Sequence, residues 1–275
     1  METPLVTNAA THPATSFATG HPDEREVELP VLSCEQGAAF AEHVRDLDAF
    51  WISRHARLPF YTLGATNYYD ITANPARPYD RLARQYNPLL RECFAPLYDA
   101  LVAALADHLR QPVTFLAGSA LPGFHIFEGH PEFAPRAEHD VLHRVWFTRR
   151  DGTDFPGNPI HVDTAHGALE LANVCLPELP STLSFTLPLG LPREGAGMAL
   201  WPLGVADLAH LDSASQLERL RASPTHLVAY RPGTLFLHSG ACYHQARGLP
   251  VTPGDYRITL QGHGIWIDGA WRLFW

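Results

Sequence analysis

The sequence predicts a mainly β chain in which helices flank a closed or sandwiched β core. From Val113 onward, apolar residues fall in short, often alternating runs separated by turn residues, which is the spacing of strands. Two earlier stretches instead carry apolar residues at helical spacing. The composition, 46% hydrophobic and 18% charged in 275 residues, is that of a globular chain able to bury a sizeable core.

Taken in order, residues 1–27 are rich in Thr, Ala and Pro and read as a poorly ordered leader. Residues 28–112 read as a helical support region. Glu28 to Leu32 suits a strand or extended lead-in, and Ser33 with Gln36 fits a capping box before the helical pattern Phe40, Val44, Leu47, Phe50 and Trp51. Leu58 to Tyr79 has mixed signals. Asn87-Pro88 suits the cap and first position of a second helix, whose stripe is Leu90, Phe94, Leu97, Leu101 and Leu105. Pro96 should kink or break it. Both stripes imply helices packed on the outside of the β core.

Residues 113–275 read as that core. Strands are expected at Val113–Ala117, Gly123–Glu128, Ile160–Thr164, Ala168–Leu176, Thr182–Leu189, Met198–Leu203, His226–Tyr230, Thr234–Gln245 and Tyr256–Ile267. Asp268-Gly269 then closes a tight hairpin to Trp271–Trp275. The polar segment Gly129–Asn158, with Arg136, Arg144, Arg149 and Arg150, reads as solvated surface and in part as a lid over the barrel mouth.

A net charge of −9 argues against nucleic-acid and anionic-membrane partners, which call for concentrated Lys and Arg. Cys34, Cys93, Cys175 and Cys242 form no paired motif, so a reduced, cytoplasmic setting is expected. Met1 to Asp23 lacks the basic and apolar regions of a signal peptide, and no apolar run reaches the roughly 18 residues of a membrane span.

The chemistry concentrates between Pro159 and Gly262. In an extended stretch His161 and Asp163 share a face, and His244 would complete a set of two imidazoles and one carboxylate. Three protein ligands leave coordination positions open, which suits ferrous iron that must take up a co-substrate and dioxygen. His-x-Asp also occurs at His21-Pro22-Asp23 and His210-Leu211-Asp212, but the first lies in the leader and the second in a loop or helix too close to His244. His139 and His143 have zinc-like spacing without a third ligand, and His238 competes with His244. His125 reads as a core or pocket histidine, while Thr164 and His166, close to the expected metal, suit a substrate contact and a structural role equally. Arg257, Thr259, Gln261 and His263 alternate with Tyr256, Ile258 and Leu260, so a guanidinium and a hydroxyl on one face could hold a carboxylate.

His161-x-Asp163, His244 and Arg257-x-Thr259, in this order, resemble the iron(II)/2-oxoglutarate-dependent dioxygenases, whose core is a double-stranded β-helix, a jelly-roll, cupin-like fold. The Pro232-Gly233 turn resembles that family's turn into the strand bearing the last ligand. The resemblance covers the C-terminal β region. It implies Fe(II) on His161, Asp163 and His244 as the catalytic centre, 2-oxoglutarate held by Arg257 and Thr259, and O2 as oxidant. The implied reaction is hydroxylation of an unactivated C–H bond of a small molecule, such as an amino acid or natural-product intermediate, with release of succinate and CO2. The carboxylate at Asp163 departs from the family's halogenases, which place a small residue there, and so implies hydroxylation, or less often desaturation or ring formation. Two readings from other classes stay open: a cupin-like metal enzyme with non-redox chemistry, and a β-sandwich binding module with incidental histidines.

Overall fold

The computed structural model describes residues 26–71, 78–144, 158–163, 166–167 and 181–275. The leader up to residue 25, the strand expected at Ala168–Leu176, Thr164, and Arg149 and Arg150 of the expected lid lie outside the described residues.

The elements in chain order are β1 (Glu26–Pro30), α1 (Cys34–Asp46), β2 (Ile52–Ser53), β3 (Phe60–Leu63), α2 (Asn67–Asp70), α3 (Tyr79–Leu109), β4 (Val113–Phe115), β5 (Gly123–Glu128) and β6 (Thr182–Gly190). They continue with β7 (Gly197–Gly204), α4 (Val205–Leu208), α5 (Ser213–Ala222), β8 (His226–Ala229), β9 (Thr234–His238), β10 (Cys242–Arg247), β11 (Tyr256–Ile267) and β12 (Ala270–Phe274). The larger sheet runs β1-β9-β6-β11-β5-β3-β2, with β12 on β11 and β4 on β12; the smaller runs β10-β7-β8. All pairs are antiparallel except β12 with β4. These two sheets form the double-stranded β-helix, and helices cover the larger one.

Strand β11 shows why the alternation matters. Ile258 and Leu260 are fully buried in a core shared with Leu90, Phe94, Leu97, Leu101 and Leu105 of α3. Each such side chain contributes about 1.5–3 kcal/mol by leaving water. Arg257, Thr259, Gln261 and His263 therefore point the other way, toward the interior between the sheets.

Helix α1 begins as expected: Ser33 Oγ accepts from Gln36 N–H at 3.1 Å and Gln36 returns the bond to Ser33 N–H at 2.9 Å. Helix α3 departs from expectation. It starts at Tyr79 and runs through Asn87, Pro88 and Pro96, with one non-helical residue at Phe94 (φ −126°, ψ 21°). Pro96 kinks the helix without ending it, because the packed stripe on both sides holds it together. Asn87 is no cap. Its amide bridges Ser119 O and Leu121 N and so ties α3 to the lead-in of β5.

The expected strand Thr234–Gln245 is two strands in different sheets. The chain enters β9 through a turn closed by Thr234 N–H to Arg231 O, with Gly233 at φ 79°. It leaves β9 at Gly240 (φ 74°), a conformation that costs glycine least, and crosses to the smaller sheet as β10. That crossing sets His244 opposite His161. The β11–β12 hairpin forms as expected, with Asp268 and Gly269 both at positive φ. No helix among the described residues is long and apolar enough to cross a membrane.

Candidate metal centre and its cavity

Backbone pairing brings the three ligand candidates together. His161 and His244 form an antiparallel bridge, N–H to O in both directions at 3.0 and 2.8 Å, and Asp163 N–H donates to Gly240 O at 2.8 Å. The segment carrying His161 and Asp163 thus extends the smaller sheet beside β10. The imidazole centroids of His161 and His244 are 4.3 Å apart. Asp163 lies between them, with Oδ2 3.4 Å from His244 Nε2 and Oδ1 3.7 Å from His161 Nε2. Among the described residues, these three form the one group of His, Cys, Asp or Glu able to hold a metal, their donor atoms all within 4.8 Å of one another.

Tautomers separate ligands from neighbours. His161 Nδ1 is 2.9 Å from Pro159 O and His244 Nδ1 is 2.8 Å from Cys242 O. A carbonyl only accepts, so both Nδ1 atoms carry a proton, and both Nε2 atoms, turned toward Asp163, are the positions available for metal ligation. His238 packs on His244 with ring centroids 4.7 Å apart, but its Nδ1 accepts from Gly240 N–H at 3.2 Å. Its proton is then on Nε2, so His238 braces the crossing and leaves ligation to His244.

Burial, with the nearby His244 acting in the same direction, holds His161 neutral and lowers its pKa to about 3. Burial likewise brings His238 to about 3 and His143 to about 4. For His244 burial favours the neutral form, but the Asp163 carboxylate outweighs it and the pKa rises. Burial pushes the Asp163 carboxyl upward, yet His244 and the imidazoles around it bring it well below the usual carboxylate range. The set offers an ionised carboxylate, a neutral His161 imidazole and a His244 imidazole that gives up its Nε2 proton when it ligates, a donor set that fits a divalent transition metal.

A cavity joins this centre to Arg257 and is lined from both sheets, with Ser184, Thr186 and Gln261 on one side and Met198, His244 and Ala246 on the other. Arg257 is 1% exposed, its guanidinium lies 4.6 Å over the Phe127 ring, and burial lowers its pKa to about 10. It makes two long bonds to backbone, to Arg247 O at 3.3 Å and Gly248 O at 3.4 Å, and its buried Nε has no partner. No carboxylate pairs with it among the described residues. A buried cation in that condition is costly unless an anion joins it, and a carboxylate supplied by a ligand would satisfy it. Thr259 is equally buried on the same face, but its hydroxyl accepts from Gln261 at 3.3 Å and it is not among the cavity-lining residues.

The remaining sequence candidates fall as follows. Asp212 of His210-Leu211-Asp212 caps α5 by accepting from Ser215 N–H at 2.8 Å. His139 and His143 share no helix: His139 ends a short 3-10 turn, while His143 N–H donates to Ile160 O, which places its ring 5.9 Å from that of His161 in the cavity wall. His125 lines the cavity with a buried, unpartnered Nε2. His166 lies close enough to His263 for its charge to be felt there. Arg144 is held on α5 by Ser213 and Gln216. Sequence reasoning missed Tyr68, whose hydroxyl donates to Asp163 Oδ1 at 2.5 Å from a segment far away in the chain. Nothing local in Asn67-Tyr68-Tyr69 signals that contact.

No protein-family model matches the sequence, and no curated protein matches it. Among solved structures the chain is similar to an N-substituted L-amino acid dioxygenase from Burkholderia ambifaria AMMD, at 15% identity and a TM-score of 0.56, covering 95% of this chain and 90% of that one. The same enzyme in complex with alpha-KG gives 14% identity, a TM-score of 0.55 and the same coverage. At such identity the likeness establishes the fold alone, a double-stranded β-helix with flanking helices.

Proposed function

We propose that the protein is a non-haem iron(II)/2-oxoglutarate-dependent dioxygenase that hydroxylates an unactivated C–H bond of a small molecule. One observation carries this reading: His161, Asp163 and His244 converge in the same cavity as Arg257, a buried cation with no carboxylate partner among the described residues. Fe(II) with 2-oxoglutarate would supply oxidative decarboxylation of the keto acid by O2, giving succinate and CO2 and oxidising the substrate. His161, Asp163 and His244 would hold the metal through Nε2, a carboxylate oxygen and Nε2. Arg257 would hold the far carboxylate of the co-substrate by charge-assisted bonds, with Thr259 behind it on the same face of β11.

The chain's other work is positioning and exclusion of water. Pro159 O and Cys242 O fix the two imidazoles so that no reorientation is needed when a metal arrives. Phe127, under the guanidinium, and the buried β11 backbone keep the Arg257 end dry, which strengthens the bond between guanidinium and carboxylate. Tyr68, His143 and His263 wall the metal end, and the two imidazoles, whose pKa values are lowered, carry no charge at neutral pH and can donate hydrogen bonds to substrate, the Tyr68 proton being given to Asp163. The fold likeness to an N-substituted L-amino acid dioxygenase makes amino acids and their N-substituted derivatives the first substrates to test.

The test is anaerobic addition of Fe(II) and 2-oxoglutarate, followed by oxygen and a panel of such substrates. The reading expects a visible charge-transfer band and substrate-dependent succinate, both lost in His244→Ala. Turnover that is unchanged in His244→Ala, or that runs on zinc without oxygen, contradicts it.

A further inference from the structure

We infer that Tyr68, supplied by the N-terminal segment, is a positioning residue of the metal centre that restricts Asp163 to one-oxygen coordination. The inference rests on the metal-centre reading above and goes beyond it. The Tyr68 hydroxyl donates to Asp163 Oδ1 at 2.5 Å, so that oxygen is engaged by a proton that stays on the phenol. Oδ2, which faces His244 Nε2 at 3.4 Å, is left as the oxygen free to bind an ion. A carboxylate held in this way occupies one coordination position. Two imidazoles and one oxygen then leave three of six positions for co-substrate and oxidant, whereas a two-oxygen carboxylate would leave two.

The placement of Tyr68 is built, and its cause lies two residues away. Asp70 at the end of α2 takes a forked pair from Arg54, Nη1 to Oδ1 at 2.7 Å and Nη2 to Oδ2 at 2.9 Å, with side chains 1% and 0% exposed. Arg54 Nε donates to Thr62 Oγ1 at 2.8 Å, and Thr66 N–H donates to Asp70 Oδ2 at 2.8 Å. The clamp is thus satisfied by hydrogen bonds on both sides, the condition under which a buried pair holds one geometry. It fixes α2 against β2 and β3, with Tyr69 packed on Arg54 and Tyr68, two residues before Asp70, turned into the cavity. There the Tyr68 ring stands edge-on to His263 at 5.5 Å, His143 at 5.9 Å and His161 at 6.3 Å, wedged among the imidazoles with only its hydroxyl on the carboxylate. From the other side Gly240 closes on the same group: a Cβ there would be 2.8 Å from Asp163 Cβ. Asp163 is therefore held between the sheet crossing and a tyrosine from the N-terminal segment.

The experiment compares wild type, Tyr68→Phe and Tyr86→Phe by anaerobic Co(II) and Fe(II) binding, read as a dissociation constant and as the Co(II) visible spectrum. Tyr86 is the control, because its hydroxyl makes a bond of the same kind to Phe50 O at 2.8 Å, within the N-terminal packing and away from the site. The inference expects Tyr68→Phe to weaken metal binding about 10-fold or more and to change the Co(II) band pattern as the freed oxygen joins the ion, with Tyr86→Phe matching wild type. A Tyr68→Phe protein that binds within twofold of wild type with a superimposable spectrum overturns the inference and leaves the metal-centre reading standing. Equal weakening in both variants also overturns it, since the hydroxyl would then be only a packing bond. Wild type that takes up no metal overturns the metal-centre reading itself, and the inference with it.

Discussion

The two ends of the cavity solve opposite electrostatic problems on one strand. At the His263 end of β11, one carboxylate, Asp163, is surrounded by imidazoles and a phenol, so its charge is met by hydrogen bonds and by rings able to share a proton. At the Arg257 end a guanidinium lies over an aromatic ring with an unpartnered Nε and two long bonds to backbone. The first end is close to self-sufficient without a ligand. The second is not, and a buried cation left in that state points to a ligand that brings its own negative charge.

If this contrast is right, breaking the metal end has the largest effect. Asp163→Ala and His244→Ala should each lower substrate-linked succinate formation to background, measured by coupled assay with metal content checked in parallel. Arg257→Met should come next, raising the 2-oxoglutarate requirement about 100-fold, the equivalent of two charge-assisted hydrogen bonds, while metal content stays at the wild-type level. The same variant sharpens the comparison in the unliganded protein. Denaturant unfolding should show it as stable as wild type or more stable, by up to about 2 kcal/mol, because an uncompensated buried charge has gone.

Gly240→Ala tests the crossing between the ends. Its positive φ and the close approach to Asp163 predict a loss of about 1–3 kcal/mol of stability and a weaker metal site, read by calorimetry and metal titration. The imidazoles give a smaller, pH-dependent effect in the metal-free protein. His143, His161 and His238 have pKa values lowered to about 4, 3 and 3. A lowered histidine pKa means that the unfolded chain takes up the proton first, so stability is fully present above about pH 6.5 and is lost as pH falls toward 4. Each such group steepens the fall by about 1.4 kcal/mol per pH unit, which denaturant unfolding across pH 4–7 measures. His244, with its raised pKa, opposes part of this trend. Thr259→Val should do least, a few-fold rise in the 2-oxoglutarate requirement, since its hydroxyl already bonds Gln261.

The parts of this arrangement that repeat along the chain could be read from it. Alternation in Tyr256–His263 places Arg257 and His263 on one face and Ile258 and Leu260 on the other, and the second is the face that α3 covers in the structure. His161-x-Asp163 was legible because an extended chain places alternate residues together. What could not be read was anything decided by tertiary contact. The helix through Pro88 and Pro96 survives on packing, against the local signal. The split of Thr234–Gln245 between two sheets turns on Gly240, which looks like any loop glycine. Tyr68 reaches Asp163 through a buried Arg54–Asp70 clamp that no local spacing announces.

The most direct measurement of the central claim is 2-oxoglutarate binding by calorimetry without oxygen, with and without Fe(II), in wild type and Arg257→Met. If one small diacid spans the metal and Arg257, wild type binds it one to one with Fe(II), and affinity falls about 100-fold when either the metal or the guanidinium is removed. Affinity that responds to neither change would contradict the account, because the two ends of the cavity would then serve no common ligand.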